Sequence, residues 1–201
     1  NQDCITTNTT LRLNYGWNGR LFAEATAGIT GSNQFSRNRF LPVGSAALSY
    51  ILSTEPYLKI RASGGHLGYN PNGNYLLYKT AWTPSGDYML GNNNNTNAHI
   101  TQLARLGNER IGWVTQNEGN IGIDGSLFRN RLSFGADFFF EKRDNIITSL
   151  SSRYSDLIGS HLPAFNYGSI MNYGAELEVT WKDQTGNGDF KYEIGANMTL
   201  T

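Results

Sequence analysis

The sequence has little charge, a single cysteine and no long hydrophobic run, and each of these features excludes a class of protein. Its 201 residues include 16 basic and 16 acidic residues, which cancel, so it lacks the basic excess of a nucleic-acid-binding protein. Cys4 is the only cysteine, which excludes an internal disulfide framework and a cysteine-based zinc cluster. No neighbouring histidine activates the Cys4 thiol, and we expect it to be inert.

A membrane helix and a leader are also missing. No run approaches the ~18 consecutive apolar residues that a transmembrane helix needs. The opening residues NQDCITTNTT have neither the basic region nor the apolar core of a signal peptide. If the protein belongs to a membrane, it therefore crosses with strands, and if it is exported, its signal lies outside this chain.

What the sequence contains favours strands and turns. Aromatic residues make up 12% of the chain, which is too many for a disordered tail. Glycine occurs 23 times and proline 5 times, and asparagine crowds the segments between apolar runs, as is typical of turns. We therefore predict an all-β fold.

Alternation of apolar and polar residues predicts eight strands in an antiparallel meander. The predicted strands span about residues 9–17, 20–30, 43–52, 57–64, 113–128, 131–147, 172–182 and 190–201. The clearest examples are AELEVTW and FKYEIGANMTL, at residues 175–181 and 190–200. No convincing helical stripe competes with them, although residues 98–107 (AHITQLARLG) also allow a short helix.

The register of one hairpin can be tested from the sequence, because a slip of one residue would place an apolar face against a polar one. A two-residue turn at Arg129-Asn130 places Leu127 opposite Leu132 and Ile121 opposite Phe138. The same turn places Phe134 over Gly125 and Phe140 over Gly119. The two apolar faces then coincide.

A second hairpin lies around YGWNGRL. A two-residue turn at Asn18-Gly19 would set Leu13 against Glu24. A three-residue loop at 17–19, with Gly19 in the left-handed conformation, instead places Leu13 opposite Ala23 and Leu11 opposite Ala25. We therefore predict the three-residue loop.

The predicted connections alternate between short and long, with long ones at 31–42, 65–112 and 148–171. Short turns at one end and long loops at the other are typical of outer-membrane barrels, whose strands need about 9–11 residues to cross. Both ends of the chain then fall at the long-loop end, which indicates consecutive strands of a larger barrel. A soluble barrel or sandwich with an ordinary core remains the alternative.

The alternation also assigns side chains to two faces. Those predicted to face lipid are Phe134, Phe138, Phe140, Leu177, Val179, Trp181 and Tyr192. Those predicted to face a wet lumen are Asp124, Asp137, Glu141, Glu176 and Glu178. Glu176 and Glu178 lie about 7 Å apart on one face, a spacing that also suits a glycosidase. We favour lumen carboxylates that pair with neighbours such as Lys182, Lys191 or Arg131.

Two segments carry a family resemblance. The stretches GWVTQNEGNIGIDGSLFRNRLSFGADFFFEKRDNII and LPAFNYGSIMNYGAELEVTWKD resemble late barrel strands of SusC/RagA TonB-dependent outer-membrane transporters. The matching features are Trp113, Asn120-Ile121-Gly122-x-Asp124, Phe128-x-Asn130-Arg131-Leu132, Asp144, Asn166, Gly168, Asn172, Gly174 and Glu176. An upstream stretch with LPVGSAALS and LKIRASGG resembles earlier strands of the same family.

This resemblance implies a barrel of about 22 strands in the outer membrane of a Gram-negative bacterium. It further implies a plug domain, opening by TonB, and a SusD-like surface lipoprotein that acts as a lid and delivers oligosaccharides or peptides. The plug and the TonB-interacting region are not among these residues. The chain would then be a portion of the C-terminal half of the barrel, without cofactor and without covalent chemistry.

The long connection at 65–112 holds the candidate substrate contacts. Aromatic rings and amides suit sugar or peptide ligands, because rings stack on apolar patches while amides bond hydroxyls or backbone groups. The candidates are Tyr69, Asn70, Tyr75, Tyr78, Trp82, Tyr88, Asn92 and Asn93. The alternative is that the rings pack the loop against itself or against the lid protein.

Neither a metal site nor an active site is indicated. His66, His99 and His161 lie in predicted outer loops without metal-ligand spacing, and we expect them to be solvated. No nucleotide-binding or serine-hydrolase motif occurs. Two other functions stay open: an outer-membrane barrel hydrolase, and a soluble glycan-binding β-domain in which Phe134 and Phe138 would be buried.

Overall fold

The structure is a computed structural model that describes residues 4–70, 76–90, 96–149, 162–186 and 189–201. The described residues form ten strands. They are β1 (Thr6–Trp17), β2 (Leu21–Ser32), β3 (Phe40–Thr54), β4 (Tyr57–Tyr69), β5 (Ala81–Leu90), β6 (Thr96–Arg105), β7 (Val114–Leu127), β8 (Leu132–Ser149), β9 (Ala164–Gln184) and β10 (Lys191–Leu200). Within these ranges, no helix has the length and apolar character needed to span a membrane.

Eight strands form one antiparallel sheet in the order β1-β2-β3-β4-β7-β8-β9-β10, which confirms the predicted meander. Strands β5 and β6 pair only with each other and form a hairpin between β4 and β7. The helix allowed at 98–107 is wrong, because β6 occupies Thr96–Arg105. Pairing with β5 satisfies the backbone of this segment, and the tertiary partner outweighs its local propensity.

Several strands are longer than predicted, so the connections are shorter. β4 continues to Tyr69, and β9 begins at Ala164 instead of residue 172. β8 and β9 stay paired through register shifts between Arg143 and Ile147, next to Asn145 at a φ of 62°. Bulges of this kind let strands remain paired while the pattern of alternation breaks. Short turns lie at one end of the sheet, the "turn end", and the connections after β2, β4 and β8 lie at the other, the "loop end".

The predicted register of the β7–β8 hairpin is confirmed. Leu127 lies opposite Leu132, and Ile121 lies opposite Phe138. Arg129 and Asn130 have φ values of 58° and 68°, as a two-residue turn between right-twisted strands requires. A Cβ added to Gly125 would lie 2.2 Å from the Phe134 ring. The ring therefore covers the glycine, as the sequence predicts.

The predicted register of the β1–β2 hairpin is wrong by two residues. Leu13 lies opposite Ala25, and Trp17 lies opposite Leu21, so the loop is 18–20 and not 17–19. Asn18 and Gly19 both take positive φ values, 50° and 62°. Asparagine tolerates this left-handed conformation, so the turn starts one residue later. A shift of two keeps every side chain on its predicted face.

Directly paired residues share a face, and the register therefore defines two faces across all eight strands. The "apolar face" carries Leu11, Leu13, Tyr15, Trp17, Leu48, Tyr50, Ile60, Ile121, Ile123, Phe134, Phe138, Phe140, Tyr173, Leu177, Val179, Trp181, Tyr192, Ile194 and Met198. The "polar face" carries Arg12, Asn14, Glu24, Ser49, Lys59, Arg61, Ser63, Glu118, Asn120, Asp124, Asp137, Glu141, Arg143, Glu176, Glu178, Lys182 and Glu193.

Among the described residues, the buried hydrophobic core lies at the loop end and does not cover either face of the sheet. Phe35, Leu77, Ile111 and Trp113 form it, and the last two precede β7. Leu41, Ile147 and Ala164 pack against this cluster. The connections at the loop end are thus packed together, whereas much of the apolar face stays exposed, with Ile121 at 67% and Phe138 at 52%.

Candidate functional site

The polar face carries an ion-paired cluster at its centre. Arg61 on β4 bonds Asp124 on β7 through two nitrogens, at 3.0 and 3.3 Å, and Asp137 on β8 at 2.6 Å. A guanidinium presents its donors in a planar fork that suits two carboxylates at once. The cluster therefore joins three adjacent strands on the polar face.

Gly122 makes this cluster possible. It lies directly between Arg61 and Asp137 across the three strands. A Cβ at this position would lie 2.5 Å from Asp137 Oδ1 and 2.8 Å from Arg61 Cζ. The absence of a side chain lets the arginine cross β7 and reach the far carboxylate. The sequence NIGID therefore supplies both the gap, Gly122, and a second carboxylate, Asp124.

Other carboxylates of the polar face have nearby cations. Glu141 contacts Arg143 at 2.5 Å, and Glu193 contacts Lys182 at 3.2 Å. Near β1, Arg12 contacts Glu24 at 2.6 Å. The side chains of these pairs are at least partly exposed to water, which screens their attraction, so each pair contributes little stability on its own. Together they place alternating charges along the face.

The sequence prediction missed the main cation of this face. Among the described residues, Asp124 and Asp137 pair with Arg61, whereas Lys182 pairs with Glu193, and Arg131 contacts Asp183 at 3.4 Å. The expected pairing of the lumen carboxylates with Lys182, Lys191 or Arg131 is therefore wrong for the described residues. The motif LKIR places Lys59 and Arg61 on one face of β4. The partner strand β7 follows only after a long intervening segment, so the sequence did not indicate that Arg61 would meet Asp124 and Asp137.

Glu176 and Glu178 lie side by side on β9, as predicted. Glu176 is directly opposite Asp137, and Glu178 is opposite Gly135. Like charges directly opposite each other destabilise a strand pair, so the Arg61 contact to Asp137 offsets this repulsion. Both glutamates are exposed.

A groove of about 520 Å³ runs along the polar face near the turn end. Its lining includes the Phe22 ring, which is 44% exposed. The polar lining residues are Asn14, Glu24, Ser49, Lys59, Arg61, Ser63 and Asn120. An open ring beside amides, hydroxyls and charges can bind a ligand that has both apolar patches and hydrogen-bonding groups.

The predicted substrate contacts do not converge on one site. Tyr69 ends β4, with Asn70 after it, and Tyr78 lies in the segment before β5. Trp82 is opposite Leu103 and Tyr88 is opposite Ala98, so the register shifts in the hairpin leave the two rings on opposite faces. Both rings are largely exposed. The remaining candidates, Tyr75, Asn92 and Asn93, lie outside the described residues.

The loop-end core is held by hydrogen bonds as well as by packing. The Phe35 and Trp113 ring centroids are 4.9 Å apart, and Trp113 Nε1 donates to Asn38 O at 3.0 Å. The Asn166 amide accepts from Gly112 N and donates to Gly112 O. These contacts fix the connections after β2 and β6 and the start of β9 relative to one another. A rigid base of this kind positions neighbouring loops.

The prediction that the histidines lie in outer loops is wrong for His66, because β4 extends further than the alternation indicated. His66 is in β4, where Nδ1 lies 2.8 Å from Asn117 Oδ1, and His99 is in β6, where Nδ1 lies 2.5 Å from Asp87 Oδ1. His99 does lie within the predicted connection 65–112, in a hairpin strand that the alternation did not indicate. His161 lies outside the described residues. Across the described part of the chain, no group of three or more His, Cys, Asp or Glu side chains could hold a metal ion.

Comparison with known proteins gives a family match along the chain. A family model described as "TonB dependent receptor-like, beta-barrel" matches residues 4–201. The chain is 26% identical over 198 residues to the "TonB-dependent receptor SusC" of Bacteroides thetaiotaomicron, covering 94% of this chain and 19% of that protein. It is 25% identical over 197 residues to the "TonB-dependent receptor P3" of Formosa agariphila, again covering 94% and 19%. The chain spans about a fifth of the length of these relatives.

Solved structures share the fold. The structure of the RagAB peptide transporter superposes with a TM-score of 0.77 at 19% identity, covering 96% of this chain and 22% of that one. The siderophore receptor PirA from Pseudomonas aeruginosa gives a TM-score of 0.61 at 15% identity, covering 98% and 34%. The fold of this chain therefore matches part of a longer chain in both structures.

Proposed function

The chain belongs to the TonB-dependent receptor-like β-barrel family, and from this premise we propose that it forms part of the wall of an outer-membrane importer. The full-length protein takes up an oligosaccharide or a peptide across the outer membrane of a Gram-negative bacterium. The importer works by gated passage through the barrel, and no covalent chemistry is involved. Similarity to SusC and to the RagAB peptide transporter supports this class of cargo.

The separation of the two faces carries the proposal. One continuous apolar face crosses eight strands, and its partners across the backbone form the ion-paired polar face. Aromatic residues cluster at both ends of the apolar face: Tyr15, Trp17, Tyr50 and Trp181 at the turn end, and Phe40, Phe140 and Tyr173 at the loop end. An apolar band between aromatic girdles is typical of a barrel in a bilayer.

The polar face then lines the lumen, with its carboxylates hydrated or paired with Arg61, Arg143 and Lys182. The cargo enters at the loop end, where the exposed Trp82 and Tyr88 rings of the β5–β6 hairpin lie. We place a SusD-like lipoprotein lid above this end. TonB acts through a plug that belongs to another part of the full-length protein.

A soluble glycan-binding domain fits the structure less well. That alternative expects Phe138 to be buried, and its side chain is 52% exposed. Large contiguous apolar patches are rare on soluble monomers. The barrel hydrolase needs a histidine or paired carboxylates at the outer rim, and His66 and His99 instead bond single side chains of neighbouring strands.

The decisive experiment isolates the native protein from its cells, fractionates the membranes and maps its peptides beyond residues 1 and 201. We expect a polypeptide of roughly 100 kDa in the outer membrane. Cells that contain this polypeptide and TonB should take up labelled oligosaccharide or peptide, and loss of either protein should abolish the uptake. Recovery of a detergent-free soluble species of 22.3 kDa would contradict the proposal.

A further inference from the structure

A row of polar side chains crosses the apolar face near its loop end. His66 on β4 lies directly opposite Asn117 on β7, and Asn117 lies directly opposite Lys142 on β8. The next pair on the same face, one step towards the turn end, is Gly119 and Phe140. From that pair towards the turn end, the face is apolar. The three polar side chains, here called the "rim row", therefore mark the border of the apolar band on three adjacent strands.

The rim row lies at the height expected for lipid headgroups. Ten residues separate Leu132 at the turn end from Lys142 on β8. This corresponds to about 33 Å along an antiparallel strand, or about 25 Å across the membrane at a tilt of about 40°. The outward apolar band of such barrels is about 25 Å tall. With Leu132 at one interface, Lys142 reaches the other.

His66 orients the amide of Asn117. His66 Nδ1 lies 2.8 Å from Asn117 Oδ1, and because an amide oxygen can only accept, the imidazole N–H donates. Within the described part of the chain, Asn117 Nδ2 makes no hydrogen bond, so both of its hydrogens can meet an acceptor outside the sheet.

Lys142 adds a cation to the same row. Its Nζ lies 3.0 Å from Asp144 Oδ2, and its side chain is 45% exposed. The other oxygen of Asp144 accepts a hydrogen bond from Ser169 Oγ at 2.7 Å. An ammonium has three hydrogens, so two remain after the contact with Asp144. The nearby carboxylate weakens the positive field, and a ligand must therefore offer several acceptor oxygens in addition to charge.

We propose that the rim row binds the phosphate group of an anionic lipid in the outer leaflet. A phosphate has the oxygen acceptors that the Asn117 amide and the Lys142 ammonium need. The acyl chains of the same lipid would cover Phe138 and Phe140 directly below, and this apolar contact favours a lipid over free phosphate. The inference rests on the proposed function, because it requires the apolar face to lie in a bilayer with its loop end outside.

The test compares lipid binding by the full-length protein and two variants. Native mass spectrometry of detergent-purified protein would count bound phosphatidylglycerol and bound phosphatidylcholine with identical acyl chains. We expect wild type to prefer phosphatidylglycerol, because the choline cation of phosphatidylcholine cancels the charge of the same phosphate and would lie beside the Lys142 ammonium. Lys142→Gln and Asn117→Asp should weaken this preference by about threefold or more. Asn117→Asp replaces the two donors with a negative charge, so it should act at least as strongly as Lys142→Gln.

Lys182→Gln is the matched control, since Lys182 also pairs with a carboxylate, Glu193 at 3.2 Å, but lies on the polar face. An equal loss in this variant, or an unchanged preference in Lys142→Gln, would overturn the proposal. Displacement of the lipid by inorganic phosphate would overturn the lipid assignment. If wild type and all variants insert into bilayers but none prefers phosphatidylglycerol, only the lipid site at the rim row is rejected. If wild type does not insert into bilayers, the proposed function is rejected.

Discussion

Arg61 reaches Asp137 across β7 because Gly122, the residue between them, has no side chain. Asp137 is 16% exposed at its side chain, and its Oδ1 is buried without a hydrogen-bond partner among the described residues. The carboxylate therefore depends on the single charge-assisted bond from Arg61. A glycine in a strand interior often marks such a close approach between other groups.

Gly122→Ala is expected to separate Arg61 from Asp137, since the new methyl group would lie 2.5 Å from Asp137 Oδ1. Overpacking of this kind costs about 1–3 kcal/mol in the free energy of unfolding. Urea titration of the full-length protein in lipid vesicles measures the change. Gly135→Ala is the control, because it lies on the same face with its nearest neighbour at 3.7 Å. Equal effects of the two substitutions would refute this account.

At the scale of elements, the β5–β6 hairpin is an independent unit. In the part of the chain that the structure describes, it pairs with no strand of the main sheet, and its first and last residues, Ala81 and Arg105, lie directly opposite each other. The sequence did not predict it, because register shifts after Ala81 and between Pro84 and Gly86 interrupt the period of two. A bulged hairpin gives a weak alternation signal even where it is well paired.

Replacing residues 82–104 by Asn-Gly should therefore leave the main sheet intact, since that turn joins two directly paired residues. Uptake of cargo should fall sharply, because the exposed Trp82 and Tyr88 rings are lost. Heat-modifiable migration of the barrel on gels tests the fold, and labelled-cargo uptake tests the function. A variant that folds and transports like wild type would show that the hairpin does not contact cargo.

Trp113→Ala is the contrasting change at this end of the molecule. It removes a ring that is 6% exposed and packs on Phe35. We expect a loss of about 3–5 kcal/mol in unfolding free energy, read by the same urea titration. A loss below about 1 kcal/mol would mean that the loop-end core contributes little to stability.

At the scale of the whole molecule, the two faces demand opposite surroundings. Ile121 and Asn120 are neighbours on β7 that point to the apolar and the polar face respectively. Ile121 lies near the middle of the apolar band. A lysine there would be placed in hydrocarbon, whereas a lysine at position 120 would enter a face that already carries charge.

Ile121→Lys is therefore expected to destabilise the protein in vesicles by about 2–4 kcal/mol, and Asn120→Lys by less than about 1 kcal/mol. Both variants carry the same new charge on the same strand, so the difference reports only the surroundings of each face. Unfolding free energies in vesicles give the comparison. Similar losses for both would mean that the apolar face does not meet lipid.

The order of the strands in the meander was predictable, but the register was predicted correctly only for the β7–β8 hairpin and was wrong by two residues for the β1–β2 hairpin. The turn at Arg129-Asn130 fixes the β7–β8 register from a few adjacent residues, and alternation then assigns Phe134 and Asp137 to opposite faces. The register of β4 against β7 is not set by a short turn, because a long segment lies between the two strands, so the Arg61 cluster could not be deduced. The rim row was missed for the same reason, because it combines side chains from β4, β7 and β8.

The loop-end core also sets an order of assembly. Trp113 bonds Asn38 across 75 positions of sequence, whereas the β1–β2 and β7–β8 hairpins close over a few residues. Closing a long loop costs more entropy than closing a short one, and contacts between distant residues form slowly. The two hairpins should therefore form first. The Phe35–Trp113 cluster should pack last, after the strands that lie between these two residues in the sequence have paired in register.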